Sequence, residues 1–166
     1  MKKILPFLIC TFFASYAFPQ DDKAVPYKEL QGHLPNKIAG FTATDEPDGQ
    51  SMSINGMSYS MASQGYLNGT VEMTVSIMDY QGASTLYTAA AMAWTMNMEY
   101  EDDEKKVSGF QEGDFQGLIE VGKKYKGVNL TCGFKERYLI QIELQDSDDD
   151  DLVKKVLKDL GLDDLP

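Results

Sequence analysis

The chain has 166 residues, 43% of them hydrophobic, with a formal net charge of −11 and a sequence pI near 4.4. Acidity on this scale repels nucleic acid and anionic lipid headgroups, so neither is an expected partner. The length suits one domain with a real core. No apolar run reaches the roughly 20 residues that a membrane-spanning helix needs.

The chain opens with Lys2 and Lys3, followed by an apolar run from Ile4 to about Ala14 and then Ser15-Tyr16-Ala17. A charged start, a short apolar core and small residues at −3 and −1 form the pattern of a secretory signal peptide, here residues 1–17. Cleavage near Ala17 and export to the periplasm, or release from the cell, are therefore expected. Cys10 does not read as a lipid-modified cysteine, because Ile9 precedes it where a small residue is needed. Loss of Lys2 and Lys3 takes the formal charge from −11 to −13. Cys132 is then the single cysteine, so no internal disulfide is expected. The alternation of Val128, Leu130, Cys132 and Phe134 puts that thiol on an apolar strand face, where it reads as structural.

Residues 18–28 are polar and proline-punctuated and read as a flexible arm; residues 29–166 read as a single domain. From Leu30 to Phe41 a lead-in docks Leu34, Ile38 and Phe41 on the core, and Asp45-Glu46-Pro47-Asp48-Gly49 makes a turn. Asn55-Gly56 and Asn68-Gly69 suit type I′ hairpin turns between alternating runs, giving a three-stranded antiparallel meander over about 51–79. Met57, Tyr59 and Met61, and then Val71, Met73, Val75 and Ile77, take the inward positions in this reading.

Ser84 caps a helix running to about Glu101, with apolar residues nearly encircling it, so packing on more than one side is expected. Strands follow at Lys106–Phe110, Phe115–Val121, Val128–Phe134 and Tyr138–Leu144, with a tight turn at Glu136-Arg137. Ser147, with Asp150 three residues on, caps a last helix whose apolar stripe is Leu152, Val153, Val156, Leu157 and Leu160; Gly161 stops it. The order of elements predicts an α+β fold, an antiparallel sheet of about six to seven strands with helices packed on it.

In this element order, and in the Leu34-Pro35…Ile38…Gly40-Phe41 lead-in, most of the chain after Ala17 resembles the small exported α+β domains of the PsbP/Mog1 type. The lead-in and Arg137-Tyr138-Leu139-Ile140 also resemble uncharacterised exported bacterial proteins. The resemblance brings no catalytic motif and implies a non-enzymatic accessory protein.

The residues agree with that expectation. His33 is the only histidine, and no Gly-x-Ser-x-Gly elbow accompanies it. Glu72, Glu120 and Glu143 fall at outward strand positions without the platform of a glycosidase site. The acidic run Asp146 to Asp151 lacks the glycine and distal glutamate of a calcium loop and reads as helix capping. No catalytic residue, metal site or cofactor is assigned.

The methionines other than Met1 all lie between Met52 and Met98. Thioethers select Cu(I), and Met92, Met96 and Met98 form the first set to consider. At 100° per residue, however, Met98 is turned about 200° from Met96, which favours packing instead. A third reading starts from Tyr87, Met92, Trp94, Met96, Met98 and Tyr100, which cannot all face one sheet. Their surplus forms a groove or interface for a protein partner or a small apolar ligand. An exported, non-catalytic binding protein is the preferred reading. An immunity or inhibitor protein against a basic exported toxin is the alternative, and Met-based Cu(I) binding a further one.

Overall fold

The computed structural model describes residues 23–96 and 98–166. The expected leader and cleavage site, Cys10 and the first part of the expected arm lie outside the described residues. In chain order the elements are α1 (Tyr27–Gln31), β1 (Lys37–Ile38), β2 (Phe41–Ala43), β3 (Asp48–Ile54), β4 (Met57–Asn68), β5 (Val71–Gly82) and α2 (Ser84–Thr95). Then come β6 (Tyr100–Glu101), β7 (Lys105–Glu112), β8 (Phe115–Gly122), β9 (Gly127–Phe134), β10 (Tyr138–Gln145) and α3 (Asp150–Asp159), closed by a 3₁₀ turn over Leu162–Asp164.

All strand pairs are antiparallel, in the order β1-β2-β4-β5-β10-β9-β8-β7-β6, and β3 shares the outer edge of β4 with β2. The architecture is α+β, with ten strands among the described residues rather than six to seven. The additions, β1, β2 and β6, are two or three residues long and extend the sheet at its two margins. Asn55 and Gly56 have φ of 52° and 82°, as a type I′ turn requires. At the next hairpin Asn68 pairs with Val71 as a strand residue and only Gly69 is left-handed (φ 62°), the pattern of a type II′ turn instead.

After β5 the chain crosses the sheet through α2 to the far edge, then returns by the meander β7-β8-β9-β10 until β10 pairs with β5. The two sheet faces are covered unequally. On one face Leu30, Leu34, Ile38 and Phe41 join Val153, Val156 and Leu157 of α3 over Met73, Val75, Ile77, Leu130, Ile140 and Ile142. The lead-in docks as expected, and Cys132 is fully buried in this core, where burial pushes its thiol pKa up. On the other face the buried cluster is only Ala91, Trp94 and Leu139.

Four expectations change here. The inward row of β4 is Ser60, Ala62, Gln64 and Tyr66, so Met57 and Met61 point to the α2 face and only Met73 enters the main core. Helix α2 stops at Thr95 instead of Glu101 and is packed on one side, leaving Leu86 48% and Met92 57% exposed. Ser147 is not the cap of α3: the Asp149 carboxylate accepts hydrogen bonds from the Asp151 and Leu152 amides, and Asp150 and Asp151 pair with Lys154. Ser84 likewise is the first helical residue of α2, and Ala83 precedes it without a side-chain cap.

One buried ion pair joins the two halves of the sheet. Asp79 of β5 is wholly buried, and Arg137 donates to both of its oxygens at 2.7 Å, with the Val25 and Gln81 amides completing the set. Arg137 also lies over the Tyr138 ring. The Asp79 bond to Val25, with that from the Ala24 amide to Ser58, ties the last residues of the expected arm to the sheet.

Candidate functional site

Outward strand residues are usually polar, so apolar ones mark where something docks. On the outward face Leu139 of β10 stands directly opposite Gly133 of β9, Leu118 of β8 stands opposite Thr131 one same-face position away, and α2 lies across these strands. Gly133 gives the helix its seat. A Cβ there would collide with the Tyr87 hydroxyl and lie 3.2 Å from the Trp94 ring, so only glycine admits both aromatic side chains. Burial, and behind it the Glu136 carboxylate, raises the Tyr87 pKa.

Because α2 is narrow and the face is wide, a concavity opens on each side of it. The larger, of about 470 Å³, lies between the C-terminal half of α2 and strands β7, β8 and β9. Its apolar wall is Ala90, Ala93, Trp94, Met98, Val107 and Leu118. Its polar side is Lys105, Glu120, Asn129 and Thr131, with Tyr100 at the rim. Lys105 donates to Glu120 at 2.8 Å, and that carboxylate raises the lysine pKa. Tyr100 donates to Asp102 at 2.6 Å. This bond, with the Lys105 and Glu104 amides, lowers the Asp102 pKa to about 2 and raises that of Tyr100. The loop between β6 and β7 is thereby fixed beside the cleft. On the opposite flank of α2 a concavity of about 390 Å³ is lined by Tyr87, Met92, Trp94, Gln116 and Glu136.

The six residues singled out from sequence are thus divided. Trp94, Met98 and Tyr100 meet at the larger cleft; Tyr87 and Met92 meet Trp94 at the smaller one. Met96, 73% exposed, lines neither. Since Met92 and Met98 lie on opposite flanks of the helix, Met92, Met96 and Met98 do not converge on one ion. Sequence reasoning missed Lys105, Val107, Leu118, Asn129 and Thr131. Val107 and Leu118 could have been found as apolar residues at wet positions of β7 and β8.

Of the other chemistry-bearing residues, Glu120 and Glu143 share an open concavity of about 300 Å³ with Lys105 and Asn129, and Glu72 does not join them. Glu120 is occupied by Lys105, Glu143 lies two strands away with Asn129 between them, and Glu72 stands on another row of the sheet. Among the described residues no group of three or more His, Cys, Asp or Glu side chains is placed to hold a metal ion, and no helix is long and apolar enough to cross a membrane. No family model, no curated protein and no solved structure matches this chain.

Proposed function

We propose that the chain is an exported, non-catalytic binding protein whose cleft beside α2 takes an amphipathic small molecule. The observation that carries this reading is the pairing of walls in one cleft. Trp94, Met98, Val107 and Leu118 supply apolar surface, and Lys105, Glu120, Asn129 and Thr131 supply fixed polar groups at its other side. A volume of about 470 Å³ lies within the roughly 300–1,000 Å³ of small-molecule sites, which are mainly apolar with a few placed polar groups. The occupant would lay an apolar body against Trp94 and Met98 and turn a hydrogen-bonding end toward Asn129, Thr131 and the Lys105–Glu120 pair. The signal-like leader supports export, and the resemblance read in the sequence to PsbP/Mog1-type domains supports an accessory role.

Native mass spectrometry of the protein isolated from its producing cell tests this reading. A bound small molecule is expected on the native chain and absent from an Ala93→Phe variant, whose ring fills the cleft. No adduct on the native chain, or the same adduct on both, contradicts it.

A further inference from the structure

The lateral margins of the sheet are finished differently. At one, β6 is two residues long and lies among Glu99, Glu101, Asp102, Asp103 and Glu104, and the part of β7 beyond it ends at Glu112, which pairs with Lys158. Short strands and charge are the usual means of keeping a sheet edge from pairing with another chain. Strand β3 has neither protection. It runs seven residues, no strand pairs with its far side among the described residues, and from Gly49 to Ile54 it carries no charge and no proline. Its neighbours β4, β5 and α2 continue that pattern. Of 15 basic and 26 acidic residues, only Glu72 and Asp79 fall between Gly49 and Met98, and Asp79 is buried against Arg137.

The hairpin turn decides which groups this edge offers. A two-residue turn at Asn55-Gly56 makes Ile54 and Met57 a hydrogen-bonded pair, and such pairs recur at every second residue. Ile54, Met52 and Gln50 therefore direct their amides and carbonyls to β4. Those of Ser53 and Ser51 point away from it and find no backbone partner among the described residues. Gly49, next in that series, has its amide taken by the Asp48 carboxylate at 2.7 Å. Helix α1 packs on the inner face of β3, where the Tyr27 amide donates to the Ser51 hydroxyl, so the edge itself stays open. On the outer face Met52 and Ile54 are 36% and 53% exposed.

An occupant of this edge must match an uncharged strand and bring its own row of outward backbone groups. A second copy of the chain does both. With a net charge of −11 the chain repels its own copy wherever acidic surfaces meet, and along this charge-free margin the repulsion is least. Antiparallel pairing about a two-fold axis at Met52 sets Ser51 opposite Ser53 of the other copy, and Ser53 opposite its Ser51, which satisfies every outward amide and carbonyl of the two serines. On the outer face Met52 then meets Met52, and Ile54 meets Gln50. Each Asp48 faces Gly56 of the other copy, so the two carboxylates lie at opposite ends of the pair.

We propose that β3 is a dimerisation edge, through which two copies of this chain join their sheets about a two-fold axis at Met52. The inference needs neither the cleft beside α2 nor its occupant. Sedimentation velocity of the protein isolated from its producing cell, over rising concentration, should show a monomer–dimer equilibrium. Protection of the Ser51 and Ser53 amides from hydrogen exchange should rise in step with it. Ser53→Pro removes an amide that β4 does not use, so the fold tolerates it. Loss of that hydrogen bond on both copies should raise the dimer dissociation constant at least about tenfold. Met52→Lys and Met52→Glu each bring like charges together at the axis and should weaken the dimer, whereas an equimolar mixture of the two should sediment as dimer again. A chain that stays monomeric at every concentration, or a dimer that leaves the Ser51 and Ser53 amides unprotected, overturns the proposal. So does a dimer undiminished by Ser53→Pro, or a mixture as dissociated as its components. The amide protection of the parent chain decides the matter even where a variant folds poorly.

Discussion

Gly133→Ala isolates the seat of α2 from the rest of the fold. The new Cβ would overlap the Tyr87 hydroxyl oxygen and lie 3.1 Å from Tyr87 Cζ and 3.2 Å from Trp94 Cζ2. Trp94 does not yield easily, being 5% exposed and packed on Leu139, and Gly133 itself is locked between β8 and β10. Relief must come from α2 lifting off the sheet. Overpacking of this kind costs about 1–3 kcal/mol, which for a domain of this size lowers Tm by roughly 2–12 °C. Trp94 is the only tryptophan, so its emission reports the lift directly, and a red shift is expected in the folded state. Tyr87→Phe removes the worst of the overlap. The pair Gly133→Ala/Tyr87→Phe should therefore recover part of both the emission and the Tm, a coupling that independent sites would not show. Unchanged Trp94 emission in Gly133→Ala, or a Tm loss that is the same with and without the Tyr87 hydroxyl, would refute this account of the seat.

Arg137→Met leaves the buried Asp79 carboxylate with two backbone amides and no counter-charge; a loss of about 3–5 kcal/mol is expected in chemical denaturation, and a loss under about 1 kcal/mol would contradict a structural role. Lys135 and Glu136 both adopt left-handed backbone, with φ of 53° and 51°, in the turn that delivers Arg137 to Asp79. Glu136→Gly should therefore stabilise the fold by about 1 kcal/mol; a lower Tm would show that the Glu136 side chain matters more than its backbone strain. The Asp102 carboxyl should titrate near 2 by NMR. Its pKa is depressed on folding, so its contribution to holding the β6–β7 loop is present above the ordinary carboxyl pKa and is lost as pH falls toward 2. Tyr100→Phe should raise that midpoint, and an unmoved midpoint would mean that the backbone amides alone set it.

Period-two patterning made the long strands from β4 onward legible, because each buries one face, while β3 is exposed along nearly all its length and was marked by the Asn55-Gly56 turn after it. The strands marked by neither signal, β1, β2 and β6, are too short to alternate and exist only through their pairing with β2, β4 and β7. Alternation is also blind to which face is inside. In β4 the more apolar row, Met57, Tyr59 and Met61, is the outer one, while Ser60, Ala62, Gln64 and Tyr66 are buried. The reason is tertiary: α1 packs on the β3–β4 hairpin from that side, and Gln64 reaches the Asp45 carbonyl from within. The end of α2 was equally hidden, since no glycine or proline marks it, and the chain leaves the helix to pair β6 with β7. Trp94, Met98 and Tyr100 were found because their excess of apolar surface is a local property. Their partners Lys105, Asn129 and Thr131 come from other strands, and only the order β9-β8-β7 beneath α2 brings them to the same cleft.

The central claim, that the cleft beside α2 is the binding site, is tested most directly by methyl and indole NMR during titration with anilinonaphthalene sulfonate, an apolar body with one polar end. The account predicts saturable shifts at Trp94, Met98, Val107 and Leu118, abolished by Ala93→Phe. Shifts confined to Leu157 and Leu162, which line a separate concavity of about 310 Å³ beside α3, or to Met92 on the far flank of α2, would contradict it.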